Sequence, residues 1–126
     1  YPTAGGVVNF PMVHTGELAE LVSWARASTE PDAVFQFADV RRGLEPGIFR
    51  VRAERAIYAD WKAGGQVNFL PSYARMWAER WRVIERPKPL GVYRELGVQY
   101  VVFTAARAPK GVTPVWSNRQ WAVFRL

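Results

Sequence analysis

Leu90-Gly91-Val92-Tyr93-Arg94-Glu95-Leu96-Gly97-Val98-Gln99-Tyr100-Val101-Val102-Phe103-Thr104 decides the fold. Residues 90–96 predict a short helix, Gly97 is the residue type that ends one, and 98–104 is the strongest strand in the chain. Upstream, Ala33-Val34-Phe35-Gln36-Phe37-Ala38 reads as a second compact, buried strand. Glu17–Ala27 reads as the helix before it, because Leu18, Leu21, Val22 and Ala25 recur on one face of a 3.6-residue period. Thr15 is placed to cap that helix, Glu17 suits its positive end, and Pro31 cannot continue it.

Between the two strands, 40–47 reads as a polar loop, while 48–52 and 56–59 read as two short strands. Gly64-Gly65 is a break. Pro71 then opens a helix to Trp81, on which Tyr73, Trp77 and Trp81 recur every four residues. Residues 85–89 form a Pro-rich bend. Downstream of Thr104, 106–111 is loop. Val115-Trp116 and Trp121–Leu126 predict a closing hairpin across 117–120. Strands alternating with helices predict an α/β fold: a two- or three-layer, Rossmann-like open sheet, mainly parallel, with a C-terminal antiparallel hairpin. Residues 1–16 read as a linker or edge segment and 17–126 as a single α/β domain.

The 126 residues include 18 aromatics (six Trp, five Tyr and seven Phe), more than a plain domain needs. No apolar run approaches the roughly 20 residues of a membrane span. The chain does not begin with Met, so the expectation is a piece of a longer protein or a processed product. The net charge of +6 is uneven. Residues 1–38 hold Arg26 against Glu17, Glu20, Glu30 and Asp32, a balance of −3. The other sixteen bases face seven acids, a balance of +9. A basic face suits nucleic acid, anionic lipid or a phosphorylated substrate, and the scattered bases equally suit a solvated surface.

Little of the chemistry-bearing vocabulary is present. One histidine, His14, and no cysteine supply neither a zinc ligand set nor a thiolate. There is no phosphate loop, no dinucleotide glycine fingerprint and no nucleophile elbow, so neither a cofactor nor a catalytic residue is assigned. The densest polar group is Arg52, Arg55, Tyr58, Asp60, Trp61 and Lys62. Period-two alternation places Tyr58, Asp60 and Lys62 on one face of an extended segment. With Asp39 at the end of the first strand, they suit an anionic or sugar-like ligand. Arg55 and Lys62 meet the anion, Asp60 and Tyr58 bond hydroxyls, and Trp61 stacks. An ion-pair network on the sheet rim, with Trp61 as a lid, accounts for the same residues. The alternatives are a stand-alone small enzyme using Asp39 and Asp60 as an acid-base or metal pair, and a structural or partner-binding module whose aromatics are core and whose basic face is solvated. The Tyr73/Trp77/Trp81 stripe reads as helix core. Interleaved with Arg75, Arg80, Arg82 and Arg86, it also has the look of a single-strand stacking surface, but no RNA- or DNA-binding motif accompanies it.

Four runs carry a family resemblance: Trp24–Phe35, Arg55–Lys62, Tyr93–Val102 and Val115–Leu126. In that order they resemble the C-terminal soluble domain of bacterial polytopic membrane proteins similar to glycosyltransferases that use polyprenyl-phosphate sugars. Many such domains have no known function. The resemblance implies a place on the extracytoplasmic (periplasmic) face of the inner membrane, beyond the last span. It implies a non-catalytic accessory role, covering an active site, contacting a partner, or holding a glycan, a lipid-linked sugar or an anionic head group. The catalytic acid of those relatives lies in a loop this sequence does not contain.

Overall fold

A computed structural model of the chain describes residues 16–40, 42–59 and 71–126, with the backbone alone at 71–73. The elements are α1 (Gly16–Ser28), β1 (Val34–Phe37), α2 (Glu45–Ala53), β2 (Ala56–Ile57), α3 (Pro71–Ile84), α4 (Leu90–Glu95), β3 (Tyr100–Thr104), β4 (Trp116–Ser117) and β5 (Trp121–Arg125). A single 3-10 turn, Ala105–Arg107, follows β3.

The five strands form one sheet in the order β2-β1-β3-β5-β4. Period-two alternation sorts their side chains onto two faces. Phe35, Phe37, Tyr100, Val102, Trp121 and Val123 point to one face, under α1 and α2. Ala38, Val101, Phe103, Ala122 and Phe124 point to the other, against Trp81 and Ile84 of α3 and Tyr93 of α4. Helices cover both faces, which gives three layers. The first face takes up much of the aromatic surplus. Phe35 stacks on Tyr100 and tilts against Phe49, both with centroids 4.8 Å away, and Phe37 meets Trp121 edge-on at 5.5 Å.

From β1 the chain crosses α2 on one face to reach β2, then returns by α3 and α4 on the other face to reach β3, on the far side of β1. Opposite directions on opposite faces give both crossovers the same hand, as the twist of strands requires. Both pairings of β1 are parallel. The mainly parallel, Rossmann-like sheet expected from the sequence is nevertheless not what forms. Both pairings of β5, with β3 and with β4, are antiparallel, and β3–β5 is the longest ladder in the sheet. The sheet is mixed. The cause is the connection after β3: the 3-10 turn and a loop holding Pro109, Gly111 and Pro114 supply no crossover helix, and a parallel return needs one.

A second correction concerns residues 40–52. Ile48–Arg52 is not a strand, and the loop of 40–47 gives way to α2 at Glu45. Pro46, Phe49 and Ala53 face the core at helical spacing, and Pro46 stands in the first turn, where its missing N–H costs nothing. Val51, which a strand would turn to the same face as Phe49, is 70% exposed. β2 also stops at Ile57, short of Ala59.

The end of α4 follows the sequence closely. Gly97 has φ +87°, its N–H donates to the Arg94 carbonyl at 3.1 Å, and the Val98 N–H donates to the Tyr93 carbonyl at 3.1 Å. This is the paired 5→2 and 6→1 closure that a left-handed C′ residue permits, with Val98 and Tyr93 buried in one cluster.

Candidate functional site

Three parallel strands end on one edge of the sheet. Asp39 follows β1, Tyr58 and Ala59 follow β2, and Thr104 ends β3. Because the chain leaves β1 toward β2 and later returns on its other side, this edge is the switch point at which open α/β sheets form a crevice.

Asp39 is buried there and already engaged. Its carboxylate accepts the Thr104 N–H at 3.0 and 3.3 Å and the Thr104 hydroxyl at 2.5 Å. It thereby ties the end of β1 to the end of β3. Its charge also acts on Tyr93. Burial, first, and the Asp39 carboxylate push the Tyr93 hydroxyl above the usual tyrosine range, against the opposing pull of the Lys88 N–H donated to it at 3.1 Å. Gln36, fully buried one strand position before Phe37, accepts the Ala59 N–H at 2.9 Å and so fixes the chain where it leaves β2.

Arg55 lies elsewhere, at the other end of β2. Its Nε donates to Thr29 Oγ1 (3.0 Å), Nη1 to the carbonyls of Ala53 (3.2 Å) and Glu54 (3.1 Å), and Nη2 to those of Arg26 (3.1 Å) and Thr29 (2.9 Å). A guanidinium has five N–H donors, and each has a protein oxygen. The acceptors lie at the C-terminal ends of α1 and α2, where aligned peptide dipoles concentrate negative potential. Arg55 is thus a buried cation held by two helix ends, and as placed it has no donor left for a ligand. It also fixes Glu54, whose φ of 56° is left-handed without being glycine.

Tyr58 is half-buried at the strand-end edge. The Arg80 guanidinium of α3 stands 4.7 Å from its ring centroid and donates to the Tyr58 carbonyl at 3.2 Å. Beside it, Trp77 and Trp81 stack at 6.0 Å. Trp81 is buried and Trp77 half-buried, so the helical stripe is core at one end and rim at the other; the Tyr73 side chain lies outside the described residues. Asp60, Trp61, Lys62, His14 and Thr15 lie outside them too. Ala59, the residue before Asp60, is held at the same edge as Asp39. Among the described residues no group of acidic or histidine side chains is arranged to hold a metal ion. No described helix is long and apolar enough to cross a membrane.

Sequence reading placed Arg80 only among the arginines of the aromatic stripe; it missed the cation–π contact with Tyr58, which depends on α3 packing beside β2, and the structural office of Arg55. The signal for Arg55 was available in part: Thr29 closes α1 through its hydroxyl on the Ala25 carbonyl at 2.6 Å, and Pro31 ends the helix two residues later.

Fold and strand-end edge together define a three-layer, mixed-sheet α/β domain with an aromatic and cationic rim. The chain belongs to the family described as a domain of unknown function, DUF6798, whose profile matches residues 16–84, from α1 through α3. A comparison with curated proteins found no match.

Proposed function

We propose that the domain is a non-catalytic accessory module of a bacterial membrane protein of glycosyltransferase-like kind. On this reading it lies on the extracytoplasmic side and holds a glycan, a lipid-linked sugar or an anionic head group at the strand-end edge. The observation that carries the reading is the rim of Tyr58, with Arg80 over its ring, and Trp77, in one cluster with Ala59, the residue that precedes Asp60, Trp61 and Lys62 in the sequence. A cation over an aromatic face next to further aromatics is suited to sugar stacking and anion pairing. The membrane-side placement is supported by the sequence resemblance. The non-catalytic role is supported by the hydrogen bonding of Asp39 and Arg55: both are spent on holding the fold. An enzyme pairing Asp39 with Asp60 would first have to release Asp39 from Thr104.

Titration calorimetry of the chain with a short oligosaccharide and with a water-soluble polyprenyl-phosphate sugar tests this. Asp60→Ala should abolish binding and leave the unfolding midpoint unchanged, and Tyr58→Ala should weaken it about tenfold, the loss of one stacking contact. Binding by Asp60→Ala equal to that of the parent chain removes the site.

A further inference from the structure

We propose that the outward face of α3 docks this domain onto an anionic lipid bilayer. The face comprises Arg75, Met76, Glu79, Arg82 and Val83, with Arg86 just past the last turn, and all six side chains are exposed. The opposite side of the helix, Trp81 and Ile84 with half-buried Trp77, holds α3 on the sheet. Helical spacing aligns Arg75 with Arg82 in one row and Met76 with Val83 in the row beside it.

Three features single out a lipid surface. Arginines outnumber the acid three to one on the face, and among the described residues no ion pair engages Arg75, Arg82 or Arg86. Met76 and Val83 are 43% and 38% exposed, on a helix whose Trp81 and Ile84 are buried against the sheet. Cations beside a row of exposed apolar side chains are what an interfacial helix offers: the apolar row enters the boundary of head groups and acyl chains, and the arginines meet phosphate. The third feature is the charge distribution across the sheet. Residues 71–96, on the α3 side, carry six bases and three acids, whereas residues 16–38 and 45–55, which hold α1 and α2 on the opposite face, carry four bases and six acids. That asymmetry turns the α3 layer toward a negative surface and α1 away from it. A nucleic acid would engage the arginines but has no use for the exposed Met76 and Val83.

The inference rests on the membrane-side placement proposed above and not on ligand binding at Tyr58. Its test is flotation of the chain with phosphatidylcholine vesicles containing about one third phosphatidylglycerol, against phosphatidylcholine alone and against a single-stranded oligonucleotide. The chain should float with the anionic vesicles only, and less as salt shortens the screening length. Arg75→Glu/Arg82→Glu should lower partitioning at least about tenfold, and Met76→Ser/Val83→Ser about threefold, with far-UV spectra and unfolding midpoints unchanged. No flotation, or flotation of the arginine variant equal to the parent, overturns the docking face. Oligonucleotide binding insensitive to Met76→Ser/Val83→Ser, with no flotation, overturns it in favour of nucleic acid. Loss of sugar binding with flotation intact sinks the strand-end reading alone, whereas an upstream sequence without membrane spans removes the placement and the docking role that rests on it.

Discussion

Arginine does opposite work in the two helical layers. On the α1/α2 side, Arg55 is 8% exposed and spends every donor on the ends of two helices and the turn after one of them. On the α3 side, Arg75, Arg82 and Arg86 stand in solvent. A surplus of basic residues is therefore no single property of this chain. Where two helix C-termini converge, a guanidinium satisfies carbonyls that would otherwise be left without donors, and it is part of the fold. Where a helix lies over the sheet with one face already buried, the charge is free to meet a surface.

The largest expected effect breaks that comparison at Arg55. Arg55→Ala should cost about 3 kcal/mol in denaturant unfolding, because four carbonyls and a hydroxyl lose their donor in a site water reaches poorly. Arg55→Lys should recover only part of this, since an ammonium has three donors and no planar fork. A loss below about 0.5 kcal/mol for Arg55→Ala would mean the helix ends do not depend on it.

Asp39→Ala comes next. It leaves the Thr104 N–H without its acceptor at the sheet edge and should cost about 2 kcal/mol by the same measurement. Hydrogen exchange at Thr104 should rise with it.

Tyr93 provides a pH test. Its folded pKa is raised above the unfolded value, so the folded state binds the proton more tightly. The stability this gives is fully present below the ordinary tyrosine pKa of about 10, and is lost as pH rises through it toward the folded value. Unfolding midpoints measured across that range should fall for the parent chain and fall less steeply for Tyr93→Phe. Parallel curves would separate Tyr93 from the alkaline loss.

The smallest effect sharpens the other side of the comparison. Arg75→Glu/Arg82→Glu should change stability by no more than about 0.5 kcal/mol, as exposed charges do. A larger loss would place these arginines in the fold with Arg55.

The sequence by itself determined the elements whose signals are local. The 3.6-residue spacing of Leu18, Leu21, Val22 and Ala25 set α1. Gly97 set the end of α4, because only a residue at ease with positive φ closes a helix in that way. The unbroken apolar run Tyr100–Phe103 set a strand, and the polar link at 117–120 set the closing hairpin. At α2 the local signal was read with the wrong period: Ile48–Arg52 alternates well enough to pass for a strand, and only the packing of Phe49 between Phe35 and Phe37 selects the helix. Of the candidate site, Asp39 and Tyr58 were legible as strand-end residues. What Asp39 bonds, and that Tyr58 meets Arg80, were not. Those contacts join residues far apart in sequence, and no periodicity encodes them.

Strand direction beyond β3 and the division of the arginines were decided by tertiary structure alone. The first depends on whether a connection has the length and helical content to cross a sheet face, the second on which helix ends the packing brings together. Both are long-range geometric facts about where backbone dipoles and carbonyls finish in space.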